Sequence, residues 1–170
     1  MEFHYVVPGL EGLPKLYQVE NWFYKPIEEQ GPNRAFTILF LIIPVYERYL
    51  RHACNYEGSS FGIDSPPIAK IGADLGIDKA PAREFWDSIR NGLLHRGAPK
   101  STGTRYILKD KGAPVSKEAD GTLSVNAYAL RSVLMPMFRE NPDFWDNLAY
   151  PVPDEIFIES VLVPTNKDAD

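Results

Sequence analysis

AFTILFLIIPVY, residues 35–46, is the stretch that decides the fold. Most of it is apolar on every face, which is typical of a helix at the centre of a hydrophobic core. A membrane-spanning helix needs about 20 apolar residues, and this stretch is shorter and contains Pro44. We therefore predict a buried helix from Arg34 to about Cys54, capped by Asn33 and kinked at Pro44.

Length and composition are those of an ordinary globular protein. The chain has 170 residues, of which 44% are hydrophobic and 24% charged, enough for one domain with a sizeable core. A single cysteine excludes an intramolecular disulfide and, with only three scattered histidines, argues against structural zinc. We expect no metal and no cofactor. The N-terminus does not have the pattern of a signal peptide, so we expect a cytoplasmic protein with no membrane contact.

Two shorter helices are predicted after the long one. IAKIGADLG, residues 68–76, indicates a short helix ended by glycine. Phe85, Ile89 and Leu93 recur at helical spacing, which predicts a further helix over 80–96. This second helix carries the polar residues on which the functional interpretation depends.

The segments that follow predict strands and then helices. TRYILKD (104–110) and GTLSVN (121–126) indicate a hairpin with a loose loop. AYALRSVLMPMFRE (127–140) predicts a helix, and a short helix follows from Pro142. The predicted fold class is mainly α: a helical bundle with a small β-hairpin inserted between its helices.

We predict one domain over residues 1–170. Its core spans about 34–150, and 1–32 is an aromatic-rich arm, broken by prolines, that packs on this core. Residues 151–170 form a tail that alternates like a strand before it becomes acidic.

Charge is unevenly distributed along the chain. The net charge of −5 argues against a nucleic-acid partner. Residues 83–111, however, contain seven lysines or arginines against three acidic residues. Such a basic stretch is typical of a solvated surface as well as of a phosphate site, and Lys100 and Arg105 fit either interpretation.

The basic stretch contains SIRNGLLHRG, residues 88–97, which places Arg90, Asn91 and His95 on one helix. Asn91 and His95 share a face, whereas Arg90 lies about 140° around the axis from His95. One helix therefore holds Arg90 and His95 on opposite rims of a cleft, while a second copy of the helix brings them together across a two-fold axis.

These three residue types suit metal-free cleavage of RNA. A histidine in the last helical turn exchanges protons near neutral pH and activates a ribose 2′-hydroxyl. Arginine binds phosphate and stabilises charge developing at phosphorus, and asparagine orients the histidine or the substrate. The alternative, judged by residue type alone, is that Arg90 and His95 only cap and solvate the helix end.

The stretch from Arg90 to His95 resembles the motif of HEPN domains (higher eukaryotes and prokaryotes nucleotide-binding), in which four to six residues separate an arginine from a histidine. Asn91 matches the polar residue that often follows the arginine. Members are helical bundles, usually dimeric, and many are metal-independent endoribonucleases of defence, toxin or RNA-processing systems. The resemblance implies that Arg90, Asn91 and His95 are catalytic residues in a cleft between two protomers.

The resemblance also extends to another helix, because some members carry an acidic residue four positions before a basic one. Glu47 and Arg51 match that spacing, and with Arg96 and Lys100 we expect them to bind substrate. The simplest alternative for Glu47 and Arg51 is an ion pair on the helix surface.

The expected function is thus endoribonuclease activity at a homodimer interface, with RNA as substrate and a protein inhibitor, such as an antitoxin, as a further partner. The alternative is a non-catalytic HEPN-like module that binds a nucleotide or a protein partner.

Overall fold

The computed structural model describes residues 19–96 and 105–146, with the backbone alone at 94–96 and 146. These parts of the chain are mainly helical, with one three-stranded sheet. None of their helices combines the length and the apolar character needed to cross a membrane. In chain order, the elements are a π-helical turn (Glu20–Tyr24), α1 (Lys25–Glu28), α2 (Ala35–Ala53), α3 (Pro66–Leu75), α4 (Lys79–Phe85), a second π-helical turn (Trp86–Arg90), α5 (Asn91–Arg96), β1 (Tyr106–Leu108), β2 (Val115–Lys117), β3 (Leu123–Val125), α6 (Ala127–Glu140) and a 3-10 turn (Pro142–Asp146).

Helix α2 is the central helix of the core, as its sequence predicts. Its main neighbour is α6, and Pro44 lies inside the helix on the exposed side. Apolar burial of this extent is the dominant favourable term in folding. The largest fully buried side chains of α2 are Ile38, Leu39, Ile42, Ile43, Tyr46 and Leu50.

The start of α2 differs from the prediction. Arg34, not Asn33, occupies the N-cap position, and its side chain makes no capping hydrogen bond. Asn33 has φ 64°, in the left-handed region, which is incompatible with the extended backbone of an N-cap residue. The hydroxyl of Tyr128 in α6 accepts from the backbone N–H of Arg34 at 3.0 Å. The predicted cap was wrong because the backbone turns through the left-handed region at Asn33 and the helix begins one residue later.

Several predicted features of the other helices are confirmed. Helix α3 ends at Gly76, whose φ of 66° suits glycine. In the part of the predicted 1–32 arm that the structure describes, from residue 19 onward, Tyr24 is buried and Trp22 and Phe23 pack partly buried on the core, whereas residues 1–18 lie outside the described residues. Arg139 of α6 fixes this segment by bonding Glu20 and Glu28. The Arg139 guanidinium holds the pKa of Glu28 below its ordinary value.

The strands pair differently from the predicted hairpin. Strand β1 runs parallel to β3, and the antiparallel hairpin is formed by β2 and β3, so the order is β1-β3-β2. Strand β2 was missed because it lies in a largely polar stretch in which only Val115 is buried. Lys117 of β2 forms an ion pair with Glu84 of α4. This ion pair connects the hairpin to α4.

Asn126 fixes the junction between β3 and α6, and its loss is expected to destabilise the fold. Its buried side chain accepts from the N–H groups of Tyr128 and Ala129, both at 3.1 Å, and donates to the carbonyl of Gly112. Asn126→Ala should lower the free energy of unfolding by about 1.5 kcal/mol, or Tm by roughly 3–6 °C, because the half-buried N–H groups of Tyr128 and Ala129 lose their acceptor.

The matched control for this change is Asn126→Ser, which keeps a side-chain oxygen as acceptor at the N-cap and loses the amide donor to Gly112, without adding a charge at this buried position. Thermal unfolding of both variants should show the smaller loss for serine. Equal Tm values for the two variants would contradict a capping role.

Candidate functional site

Residues 79–96 form one continuous helix, here called the motif helix, which comprises α4, the second π-helical turn and α5. The predicted apolar stripe is confirmed, since Phe85, Trp86, Ile89 and Leu93 are buried. The π-helical turn at 86–90 was not predicted. Turns of this kind occur frequently at functional sites, and this one ends at the first residue of the Arg90–His95 motif.

One side of the motif helix is polar and half-buried. It carries Arg83, Asp87, Arg90 and Asn91, whose spacing places them within an arc of about 100° on an ideal helix. This side faces α2, where Glu47 and Arg51 lie one turn apart. The two helices therefore bring their charged residues into a single cluster.

Arg90 binds Glu47 through two parallel hydrogen bonds. Nε of Arg90 donates to Oε2 of Glu47 at 2.8 Å, and Nη2 donates to Oε1 at 2.9 Å. A bidentate contact of this kind is strong and fixes the plane of the guanidinium group. The two side chains are 21% and 14% exposed, so water weakens the interaction only in part.

Glu47 is shared between two arginines. Arg51 donates to Oε1 of Glu47 at 3.0 and 3.3 Å, so the ion pair considered as the alternative forms, but the two side chains are only 11% and 14% exposed and the pair is not on the surface. A further donor of Arg51 reaches the carbonyl of Gly58 at 2.7 Å. The Arg51 guanidinium also lies over the ring of Phe61. Glu47 thus links α2 to the motif helix, and Arg51 links α2 to the loop at 54–65.

Asn91 extends the cluster along the motif helix. Its Oδ1 accepts from Nη1 of Arg90 at 2.9 Å, and its Nδ2 donates to Asp87 at 3.1 Å. The amide has only one orientation that satisfies both contacts, because arginine only donates and an ionised carboxylate only accepts. Asp87 in turn contacts Nε of Arg83 at 2.7 Å. Asn91 therefore orients Arg90, its neighbour in the sequence.

A small cavity of about 50 Å³ opens at this cluster. It brings together four residues singled out from the sequence with others from the motif helix and the loop at 54–65. Arg83 and Asp87 could have been found by their helical spacing from Arg90, whereas nothing in the sequence marks the loop residues. The lining residues are Glu47, Arg51, Ser59, Ser60, Phe61, Arg83, Trp86, Asp87, Arg90 and Asn91.

The remaining predicted site residues are described only in part or not at all. The backbone of α5 is helical through Arg96, so positions 91 and 95 lie one turn apart on the same face. The side chains of His95 and Arg96, and all of Lys100, lie outside the described residues. Their assigned roles stay predictions.

The described donor groups are better suited to anions than to cations. Within 19–96 and 105–146, no group of three His, Cys, Asp or Glu residues is placed to hold a metal ion. The carboxylates of Glu47 and Asp87 are each engaged by a guanidinium group. Burial raises the pKa of the Cys54 thiol, which keeps it protonated and a poor metal ligand at neutral pH.

The cluster places the hydrogen-bonded guanidinium groups of Arg51 and Arg90 beside a small cavity. Asn91, which also belongs to the cluster, lies one helical turn before position 95. Preorganised donors of this kind stabilise the charge of a phosphate.

Comparison with models of known protein families, with curated proteins and with solved structures found no match. The functional interpretation therefore depends on the contacts within the cluster.

Proposed function

We propose that this protein is a HEPN-like, metal-independent endoribonuclease that works as a homodimer. The observation that carries the proposal is the cluster in which Glu47 and Arg51 of α2 bond Arg90 and Asn91 of the motif helix. The HEPN resemblance joins an acidic–basic pair on another helix to the arginine–histidine motif. A partnership between the two helices therefore supports the family and its activity together.

Each residue of the cluster has a distinct role in the proposed reaction. Arg90 binds the scissile phosphate, and His95 takes a proton from the ribose 2′-hydroxyl or gives one to the leaving oxygen. Asn91 and Glu47 hold the guanidinium plane of Arg90 before the substrate arrives, so that less side-chain entropy is lost on binding. The second copy of the motif helix completes the cleft, because Arg90 and His95 of one helix lie on different sides.

The alternative function is a non-catalytic module that binds a nucleotide or a protein, such as an antitoxin. One observation favours it: all three nitrogens of the Arg90 guanidinium already donate to Glu47 or Asn91. An arginine engaged in this way also suits a purely structural contact between helices. The two functions differ in whether RNA is cut.

Incubation of the purified protein with mixed RNA in EDTA tests the proposal. We expect fragments that end in a 2′,3′-cyclic phosphate, because the attacking group is the ribose 2′-hydroxyl. DNA and 2′-O-methyl RNA of the same sequence lack that nucleophile and should remain intact, and they serve as controls. Intact RNA would favour the non-catalytic module, and a strict monomer in a solution-mass measurement would contradict the shared cleft.

A further inference from the structure

The cavity beside Arg90 is too small for a nucleobase. Its volume is about 50 Å³, whereas pockets that enclose drug-sized molecules measure about 300–1,000 Å³. About 10–15 Å³ of such volume holds one water, so the cavity accommodates a phosphate group or a few waters. Phe61 and Trp86 present no free ring face to a base, since they stack on each other with centroids 4.8 Å apart and are almost fully buried.

The charge of the lining favours an anion. Three arginines and two carboxylates line the cavity, which leaves a formal charge of +1. Both carboxylates already bond guanidinium groups, so their negative charge is largely compensated. The planar donor set of arginine matches the oxygens of a phosphate.

Arg83 is the arginine best placed to bind a second phosphate. Nε of Arg83 contacts Asp87, and within the described parts of the chain no hydrogen bond engages its two Nη groups. The side chain is 30% exposed, so a ligand can reach it. Arg83 precedes Arg90 by seven residues, which places their backbones about 10 Å apart on the same side of an ideal helix.

Ser59 and Ser60 supply neutral donors from the loop at 54–65, and two hydrogen bonds anchor this loop. The hydroxyl of Tyr56 donates to the carbonyl of Ser60 at 2.7 Å, and Arg51 holds the carbonyl of Gly58. Both serines are exposed, so their hydroxyl groups are open to a ligand. Hydroxyl groups donate readily to phosphate oxygens.

We propose that this cavity binds the phosphate next to the scissile one in RNA. Arg83 is the cation of this subsite, Ser59 and Ser60 are its hydroxyl donors, and Asp87 orients Arg83. The subsite rests on the proposed function, since it places Arg90 at the scissile phosphate. Because the cavity has no room for a base, the subsite recognises the sugar–phosphate backbone and not the base sequence.

Binding of a non-cleavable oligodeoxynucleotide tests the subsite without relying on catalysis. The Arg83→Ala variant should bind on the order of tenfold more weakly than the unmodified protein, because one charged contact is lost. The slope of log K against log salt should fall by about 0.7, the value for one phosphate contact on a single strand. Lys79→Ala is the matched control, because Lys79 lies on the same helix, pairs with exposed Asp64 and does not line the cavity.

Three dinucleotide substrates test whether the subsite binds a phosphate that is joined to the scissile one or only inorganic phosphate. The first has no terminal phosphate, the second has a 5′-phosphate and the third has a 3′-phosphate. In the Lys79→Ala control, one of the two phosphorylated dinucleotides should have a KM on the order of tenfold lower than the dinucleotide without a terminal phosphate. In Arg83→Ala, these two KM values should be equal. An unchanged salt slope in Arg83→Ala, or inorganic phosphate competing as well as the oligonucleotide, would overturn the subsite. Arg83-dependent binding without any cleavage would instead refute only the endoribonuclease.

Discussion

Replacement of His95 by alanine is expected to reduce RNA cleavage about 10²–10⁴-fold, the range that general acid–base catalysis contributes. The imidazole is the group in the motif that exchanges protons near neutral pH. Position 95 lies in the last turn of the motif helix, one turn beyond Asn91. The measurement is the rate at which 2′,3′-cyclic phosphate ends form in EDTA, with Tm recorded in parallel. We expect Tm to change little.

His52→Ala is the matched control, because His52 is also in the last turn of a helix and is exposed, yet it does not line the cavity. Its cleavage rate should equal that of the unmodified protein. Cleavage that persists in His95→Ala would show that His95 is not the proton-transfer group. Loss of cleavage in both variants would point to a general effect of removing histidines and would also contradict the assignment.

The helices were predictable because their signals are local. The repeat of Phe85, Ile89 and Leu93 reports which face the motif helix buries, whatever it packs against. The apolar stretch at 35–46 indicates a core helix but not its buried face, since Phe36 and Phe40 are exposed. The sheet was less predictable because strand pairing depends on contacts far apart in the sequence. Nothing local indicates that β1 pairs in parallel with β3, or that polar β2 supplies the other edge.

Part of the membership of the charged cluster was predictable, but its contacts were not. The motif identified Arg90 and Asn91, and the four-residue spacing identified Glu47 and Arg51. The bidentate bond between Glu47 and Arg90 joins positions 43 apart, and no periodic pattern reports such a contact. Ser59 and Ser60 reach the cavity because side chains of α2 and the core hold the loop. The composition of residues 54–65 indicates a loop, but it does not indicate that the loop lines the cavity.

Glu47→Ala is expected to destabilise the fold and to impair cleavage together. The substitution leaves two half-buried guanidinium groups without their shared carboxylate, and we expect the free energy of unfolding to fall by about 2 kcal/mol. For a chain of this length that corresponds to a Tm decrease of roughly 4–8 °C. Thermal unfolding checks the value. Glu118→Ala is the control, since it removes a carboxylate from the exposed pair with Lys109 and should leave Tm almost unchanged.

A double-mutant cycle separates the Glu47–Arg90 contact from general damage at the site. If the bidentate bond orients Arg90, removing either partner removes the same interaction, and Glu47→Ala combined with Arg90→Ala should cost less than the sum of the single changes. The expected coupling is about 1–2 kcal/mol in unfolding free energy. Cleavage rates measured well below Tm should follow the same pattern, because Glu47 acts through Arg90. Additive losses would mean that Glu47 and Arg90 contribute independently, and the alignment of the guanidinium would then have another cause.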